Sequence, residues 1–97
     1  MLTAVYRGRL ARKIRTEGVY MYDKGVKLRI ENAPTDPYFI EFENGQKATP
    51  VNNVVEIPDD LFLNAGEVEF YIVVRNGESV NTLCTFLIPV SWRPARP

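Results

Sequence analysis

The sequence has no histidine and a single cysteine, and these two absences exclude much of the common chemistry of active sites. Histidine is the most frequent general base and metal ligand in proteins. A lone Cys84 without histidine cannot form a Cys–His catalytic pair, an internal disulfide or a CxxC motif. Because Cys84 lies in an apolar stretch, it is typical of a small buried hydrophobe. That fits a reducing compartment, or secretion without a disulfide.

Long apolar runs are also missing from the chain. No run approaches the roughly 20 residues that a membrane-spanning helix needs. The N-terminal residues 1–4 are not followed by the apolar region of a signal peptide, because Arg7 and Arg9 interrupt it. There is no Asn-x-Ser/Thr acceptor for glycosylation. We therefore expect no membrane partner.

Carboxylate pairs are present, but each has a simple structural explanation. Asp59 and Asp60 with Asn64 are candidate Ca²⁺ ligands, yet acids at the start of a helical turn are stabilised by the helix dipole. Two further pairs at i, i+2 spacing are typical of solvated strand faces rather than of glycosidase acid pairs, which need a cleft. These pairs are Glu41 with Glu43 and Glu67 with Glu69. We expect a protein that is not an enzyme and that has no metal or other cofactor.

The net charge is zero, but the charge is divided along the chain. Residues 1–30 hold eight Lys or Arg against two acids, and residues 31–79 hold ten acids against two basic residues. The division favours oppositely charged strands that lie side by side and cancel. The alternative is two surfaces of opposite sign.

The most basic part is the segment Arg9–Glu17, whose conformation the pattern leaves open between helical turns, a mobile loop and an edge strand. Its charge has two interpretations: a partner contact that follows a phosphate backbone, or a solvated edge that discourages aggregation. Since Tyr6 is the only aromatic residue nearby, the solvated edge is favoured over nucleic-acid binding. The candidate contact residues of this basic segment are Arg9, Arg12, Lys13 and Arg15.

The strongest structural signal is a β-hairpin over 67–90. Two runs rich in β-branched and aromatic residues flank Asn76-Gly77, which predicts a type I′ turn with two positive φ angles. The first run alternates with period two, so one face is expected to be buried. The second run is apolar on both sides and indicates a central strand. The expected inward residues of the first run are Val68, Phe70, Ile72 and Val74.

Further short strands with turns every eight to twelve residues complete the prediction. The fold class is all-β: an antiparallel β-sandwich, Ig-like or jelly-roll-like, of seven to eight short strands with one short helical turn near 59–65. Residues 1–90 form a single domain, and residues 91–97 form a Pro/Arg-rich tail or linker stub. The other strand candidates are 3–8, 19–22, 26–31, 38–43, 46–49 and 54–57.

Three aromatic residues form a second candidate contact set: Tyr20, Tyr22 and Trp92. On one exposed face they would make a sugar-stacking platform. Packing in the core or at an interface is the favoured explanation.

Several short motifs resemble one family when they are read in order. They are VYMYDKGVKLRI at 19–30, a strand ending in Asn44-Gly45, VEIPDDLFL at 55–63, a strand over 66–75, and Ile88-Pro89-Val90 before the tail. This order resembles the small N-terminal β-sandwich domain of Firmicutes prophage tail or baseplate proteins, of the baseplate upper protein type. The likeness covers residues 18–97, and the basic segment lies outside it.

The resemblance implies a non-enzymatic structural or assembly domain of a phage or prophage tail that acts through protein–protein contacts. The expected partners are other virion or tail proteins, or further copies of the chain. The expected location is the virion tail, after assembly in the bacterial host cytoplasm. The alternatives are a carbohydrate-binding module and a small phage-encoded inhibitor that binds nucleic acid or a host protein.

Overall fold

The computed structural model of the chain describes residues 1–95. Within this range the chain forms nine strands in two sheets and one 3₁₀ turn, which confirms the all-β fold class. The strands are β1 (Leu2–Val5), β2 (Ile14–Arg15), β3 (Val19–Tyr20), β4 (Lys27–Glu31), β5 (Tyr38–Phe42), β6 (Lys47–Ala48), β7 (Val54–Glu56), β8 (Gly66–Asn76) and β9 (Ser79–Ser91). The 3₁₀ turn is Asp59–Phe62, shorter than the predicted helical turn.

The smaller sheet has the order β1-β4-β7, and the larger has the order β2-β9-β8-β5-β6, with β3 also on β9. The prediction of wholly antiparallel sheets is wrong in one respect. β1 pairs with β4 in parallel, and both β2 and β3 pair with β9 in parallel. The antiparallel pairs β5–β6 and β8–β9 are joined by short turns, whereas these parallel partners are far apart in sequence. Their relative direction is therefore not fixed by any hairpin.

The predicted hairpin is present as β8 and β9, which pair along their whole length. Its turn differs from the predicted type I′. Asn76 pairs with Ser79, so the loop is Gly77-Glu78, and only Gly77 within it has a positive φ, of 63°. Glycine at the first central position is typical of a type II′ turn, which also matches the twist of paired strands.

A type I′ arrangement occurs instead at Asn52-Asn53. Both residues have positive φ, 53° and 61°, and Val51 and Val54 exchange two backbone hydrogen bonds around them. Asparagine tolerates this region because its short polar side chain bonds locally. The Asn53 side chain also accepts a hydrogen bond from Tyr38 Oη at 2.8 Å. This contact ties the larger sheet to the edge of the smaller one.

Of the three conformations left open above, the basic segment takes that of an edge strand at Ile14–Arg15, and its other residues form no regular strand. Its backbone follows β9 from Leu10, which donates to Leu83 O, to Met21, which donates to Ser91 O. This edge is divided into β2 and β3 opposite Pro89. Thr16 N and Met21 N donate to the carbonyl oxygens of Leu87 and Ser91. Alternate residues of β9 face this edge, so Pro89 faces it too. Proline has no backbone N–H, so the ladder of hydrogen bonds is interrupted there.

Gly18 lies at this break. A Cβ atom there would come within 3.3 Å of Pro89 O, so the close approach of the two backbones favours glycine. Nine strands are present where seven or eight were predicted, because β2 forms within the basic segment, whose conformation the sequence left open.

The core lies between the two sheets and is apolar. Phe70 stacks on Phe86 with ring centroids 5.2 Å apart, and Phe42 packs against Phe70 at 6.4 Å. Among residues 1–95 every buried side chain is hydrophobic. The predicted inward residues of β8 are all buried: Val68, Phe70, Ile72 and Val74. Burial alternates as far as Ile72, and Val73 is buried as well, at the point where the register with β9 shifts.

The long hairpin extends beyond its neighbours. β5 pairs with β8 only as far as Val74, and the edge segment contacts β9 from Leu83 onward. Residues 75–82 are all exposed and form a two-stranded tip. At the other end, β9 continues through Ser91, the first residue of the predicted tail. The last two residues of that tail, 96 and 97, lie outside the described range.

Candidate functional site: an exposed aromatic end

Two of the four predicted cationic contact residues are held in ion pairs on the outer face of the larger sheet. Lys13 Nζ bonds Glu69 Oε1, and Arg15 Nε donates to Glu67 Oε2 at 2.6 Å. Both pairs reach across β9 from β2 to β8. Arg15 and Glu69 are both register partners of Leu87, so the pairs help to cover Leu87, which is only 8% exposed. This is the cancellation between neighbouring strands that the charge division favours.

These contacts shift the acid–base behaviour of the face. Lys13, and then the hydroxyl of Tyr71 at 2.9 Å from Glu69 Oε2, hold the pKa of Glu69 below its usual value. The same bond from Tyr71 to Glu69 raises the pKa of Tyr71, with added repulsion from Glu43 and Glu41. The bond to Glu67 raises the pKa of Arg15. The carboxylates of this face thus stabilise the basic segment on the sheet.

The other two cationic candidates, Arg9 and Arg12, are exposed and form no ion pair within residues 1–95. They flank Leu10, whose backbone N–H donates a hydrogen bond to Leu83 O near the hairpin tip. The four cations therefore do not form one continuous patch, because half of them face carboxylates.

Two of the three aromatic candidates lie close together at the opposite end of β9. Tyr20 is the register partner of Ser91, and Trp92 follows directly. Tyr20 is 58% exposed and Trp92 is 69% exposed, unusual values for such large apolar side chains. The close ring contacts in residues 1–95 join core phenylalanines and do not include either ring.

The third aromatic candidate, Tyr22, is placed differently. Its side chain is half-buried and packs against the core, its backbone N–H donates to Phe62 O at 2.8 Å, and its φ is +68°. It occupies the second central position of a turn closed by Asp23 N donating to Tyr20 O. That position demands a positive φ and is usually glycine. Tyr22 therefore shapes the turn rather than extending an exposed platform.

The aromatic end includes three residues that the sequence did not single out as contacts. Leu63 is 51% exposed and follows Phe62, whose carbonyl oxygen accepts a hydrogen bond from Tyr22 N. Arg93 follows Trp92, with one guanidinium nitrogen 3.7 Å from Asp23 Oδ1. Asp23 Oδ2 in turn accepts a hydrogen bond from Tyr20 N at 3.0 Å. We define the aromatic end as Tyr20, Asp23, Leu63, Trp92 and Arg93.

Arg93 is incompletely satisfied. Its Nε atom is buried and has no hydrogen-bond partner among residues 1–95. Buried donors without a partner are rare in folded proteins. No local pattern could have marked this residue, because its contact with Asp23 joins positions about seventy residues apart in sequence.

The basic and aromatic candidates do not form one site. Leu83, beside Leu10, and Ser91, beside Tyr20, are separated by eight residues of β9, roughly 26 Å at the rise of an extended strand. The predicted contact residues therefore belong to two separate surfaces. Of these, the aromatic end has the larger exposed apolar side chains.

The remaining features add little chemistry. Burial raises the pKa of Cys84 to about 11, so its thiol stays protonated at neutral pH. Within residues 1–95, no three Asp, Glu or Cys side chains converge closely enough to hold a metal ion. No helix in this range is long and apolar enough to cross a membrane.

Comparison of the chain with models of protein families gives no match, and comparison with curated proteins gives none either. A function for the chain is therefore inferred from the geometry described above and from the short motifs of the sequence.

Proposed function

We propose that this chain is a non-enzymatic assembly domain of a phage or prophage tail or baseplate, and that it binds protein partners through the aromatic end. Its place would be the virion tail, after assembly in the host cytoplasm. The sequence motifs at 19–30, 55–63 and 88–90 support the tail assignment by resemblance. An all-β fold of two sheets is compatible with that resemblance.

The observation that carries the binding proposal is the exposure of Tyr20 in β3 and of Trp92, which directly follows the end of β9 and precedes Arg93. Tryptophan, tyrosine and arginine are the residues that most often dominate the binding energy of protein interfaces. Leu63 adds exposed apolar area at the same end. Such side chains are stabilised when a partner removes them from water.

The test measures binding of the purified chain to the tail proteins encoded beside its gene. We expect the double variant Tyr20→Ala, Trp92→Ala to weaken binding by about 2 kcal/mol or more, the usual threshold of an interface hot spot. Val80→Ala is the matched control, because Val80 is 53% exposed at the opposite end. Equal effects of the two changes, or no binding by the parent chain, would contradict the proposal.

Carbohydrate binding is the second candidate, favoured by the same two exposed rings. A sugar ring stacks on aromatic faces that lie open to solvent. Tyr22 would not contribute, since its side chain packs against the core. A glycan array probed with the parent chain and with Trp92→Ala separates this candidate from protein binding. No signal for any sugar would remove it.

A further inference from the structure

Two asparagines in the chain are followed by glycine, at Asn44-Gly45 and at Asn76-Gly77. Asparagine is a chemically labile residue, because the backbone nitrogen of the next residue can attack its side-chain carbonyl carbon. Glycine favours this attack, since it has no Cβ atom to obstruct the approach. Both asparagines are exposed to solvent. The hydrogen bonds around each pair therefore decide which of the two reacts.

At Asn44-Gly45 both reacting groups are held by hydrogen bonds. The Asn44 side chain donates from Nδ2 to Gln46 Oε1 at 2.6 Å, and its Oδ1 accepts from Gln46 N at 3.0 Å. The attacking nitrogen is engaged as well, because Gly45 N donates to Phe42 O at 2.8 Å. Attack at Asn44 therefore has to break these bonds first.

At Asn76-Gly77 neither reacting group is held. No side-chain hydrogen bond within residues 1–95 includes Asn76, and Gly77 N donates none in the same range. The backbone pairing that closes the turn joins Asn76 to Ser79 instead.

The position of this turn also permits the rotation that the attack requires. The turn lies in the two-stranded tip of residues 75–82, beyond both flanking edges. Rotation about ψ of Asn76 brings Cγ toward Gly77 N and disturbs only the last pair of the hairpin. Such a pair, with no neighbouring strand, opens at little cost in free energy.

We propose that Asn76 is a site of spontaneous deamidation at the hairpin tip. A bond forms between Gly77 N and Asn76 Cγ, and the amide proton of Gly77 passes to solvent base. The side-chain nitrogen takes up a proton and leaves as ammonia, which gives a five-membered succinimide ring. Water then adds to one of the two ring carbonyl carbons, and ring opening leaves aspartate or isoaspartate at this position. No oxidant or reductant takes part.

The tip has room for either product. Isoaspartate lengthens the backbone by a carbon atom, which a tightly packed turn would not accommodate. A Cβ atom at Gly77 would meet no other atom within 4 Å, and residues 75–82 are all exposed. The chain, which has zero net charge, then carries an added negative charge next to Glu78.

This site is independent of the proposed function. Ser79, beside the turn, and Ser91, beside Tyr20, are twelve residues apart in β9, roughly 40 Å at the rise of an extended strand. Loss of binding at the aromatic end would therefore leave the deamidation site unaffected, and the reverse also holds.

The test follows both sites in one sample of the folded chain, incubated in mildly alkaline buffer. Cleavage after lysine places Asn44 in the peptide 28–47 and Asn76 in the peptide 48–97. Mass spectrometry measures the mass gained when an amide becomes an acid, and fragmentation locates it. We expect Asn76 to react about tenfold faster than Asn44 or more, because attack at Asn44 must break hydrogen bonds.

Two controls separate the effect of the fold from that of the dipeptide. In urea that unfolds the chain, both sites lose their hydrogen bonds, so the two rates should converge. Asn76→Gln should remove the mass gain from the peptide 48–97, because the longer side chain disfavours a five-membered ring. This variant changes an exposed side chain, and circular dichroism checks that it folds.

The proposal is overturned if Asn44 reacts as fast as Asn76 in the folded chain, or if Asn76 reacts only in urea. An equal excess of the Asn76 rate in urea would assign the preference to the neighbouring sequence and refute the structural argument. A mass gain that persists in Asn76→Gln would identify another asparagine as its source and also overturn the proposal.

Discussion

The turn at Asn52-Asn53 offers a quantitative test of how the two sheets are held together. Asn53 has φ +61° and accepts a hydrogen bond from the Tyr38 hydroxyl at 2.8 Å. Alanine at this φ costs roughly 1–2 kcal/mol, because its Cβ approaches a carbonyl oxygen. Loss of the hydrogen bond adds about 0.5–1.5 kcal/mol. Asn53→Ala should therefore lower the free energy of unfolding by about 2–3 kcal/mol.

Three further variants separate the two contributions. Asn53→Gly keeps the positive φ and loses only the side-chain acceptor, so about 1 kcal/mol should be lost. Tyr38→Phe removes the donor and should cost a similar amount, about 1 kcal/mol. Asn53→Asp keeps an acceptor and tolerates the same φ, so it should remain within about 0.5 kcal/mol of the parent. The combined Asn53→Gly, Tyr38→Phe variant should lose less than the sum, because one bond is removed twice.

The assay is urea unfolding followed by far-UV circular dichroism, since Trp92 is exposed and reports poorly on the core. For a domain of this size, a loss of 2–3 kcal/mol corresponds to a fall in Tm of roughly 10–20 °C. Equal stability of the alanine and glycine variants would refute the argument from φ. Strict additivity of the glycine and phenylalanine changes would refute the hydrogen bond.

Three other predictions concern the core and the titrating groups. The ring of Phe70 is fully buried, so Phe70→Ala should lower the free energy of unfolding by about 3–5 kcal/mol, measured by thermal or urea unfolding. Phe70→Leu should lower it clearly less, because it leaves a smaller cavity. Equal losses of stability would contradict the packing described for Phe70. The pKa of Cys84 is raised from 9.0 to about 11 in the fold, so its contribution to stability is complete below pH 9 and is lost as the pH rises toward 11. Cys84→Ala should lose less stability over that alkaline range, and a parent thiol that reacts quickly with a thiol reagent at neutral pH would argue against burial. Lys13 and Tyr71 lower the pKa of Glu69 in the folded chain. The Glu69 carboxylate therefore contributes to stability above the ordinary carboxylate pKa, and this contribution is lost as the pH falls through the lowered pKa of the folded state. Glu69→Gln should flatten the acid limb of a stability–pH profile, whereas an unchanged limb would show that the ion pair is not maintained in solution.

The two ends of the β8–β9 hairpin differ in the side chains that they expose, and this difference links the fold to the proposed role. Neighbouring strands flank the middle of the β8–β9 hairpin on both sides, and its tip extends beyond them. At the other end, β3 pairs with β9 and carries the exposed Tyr20. The tip carries small and polar side chains with one exposed valine. The aromatic end carries Tyr20, Leu63 and Trp92. Large exposed apolar side chains are therefore concentrated at the aromatic end.

Local patterns in the sequence were enough to determine the strands and most of the turns. Period-two alternation identified the buried face of β8, because side chains of a strand point alternately to opposite faces. Asn76-Gly77 marked the turn of the long hairpin, because glycine and asparagine accept positive φ. The apolar character of both faces of the last long strand indicated its central position, and β9 does lie between β8 and the β2/β3 edge.

Only the tertiary structure decided which distant segments meet. The parallel placement of the basic segment on β9, the ion pairs of Lys13 and Arg15 with β8, and the contact of Asp23 with Arg93 all join residues more than fifty positions apart. Alternation and turn chemistry act over a few residues, so they specify each strand but not its neighbour. The neighbour is set by how the two sheets close around the phenylalanine core. That closure separates the predicted contact residues into two surfaces and leaves Tyr20 and Trp92 exposed to solvent.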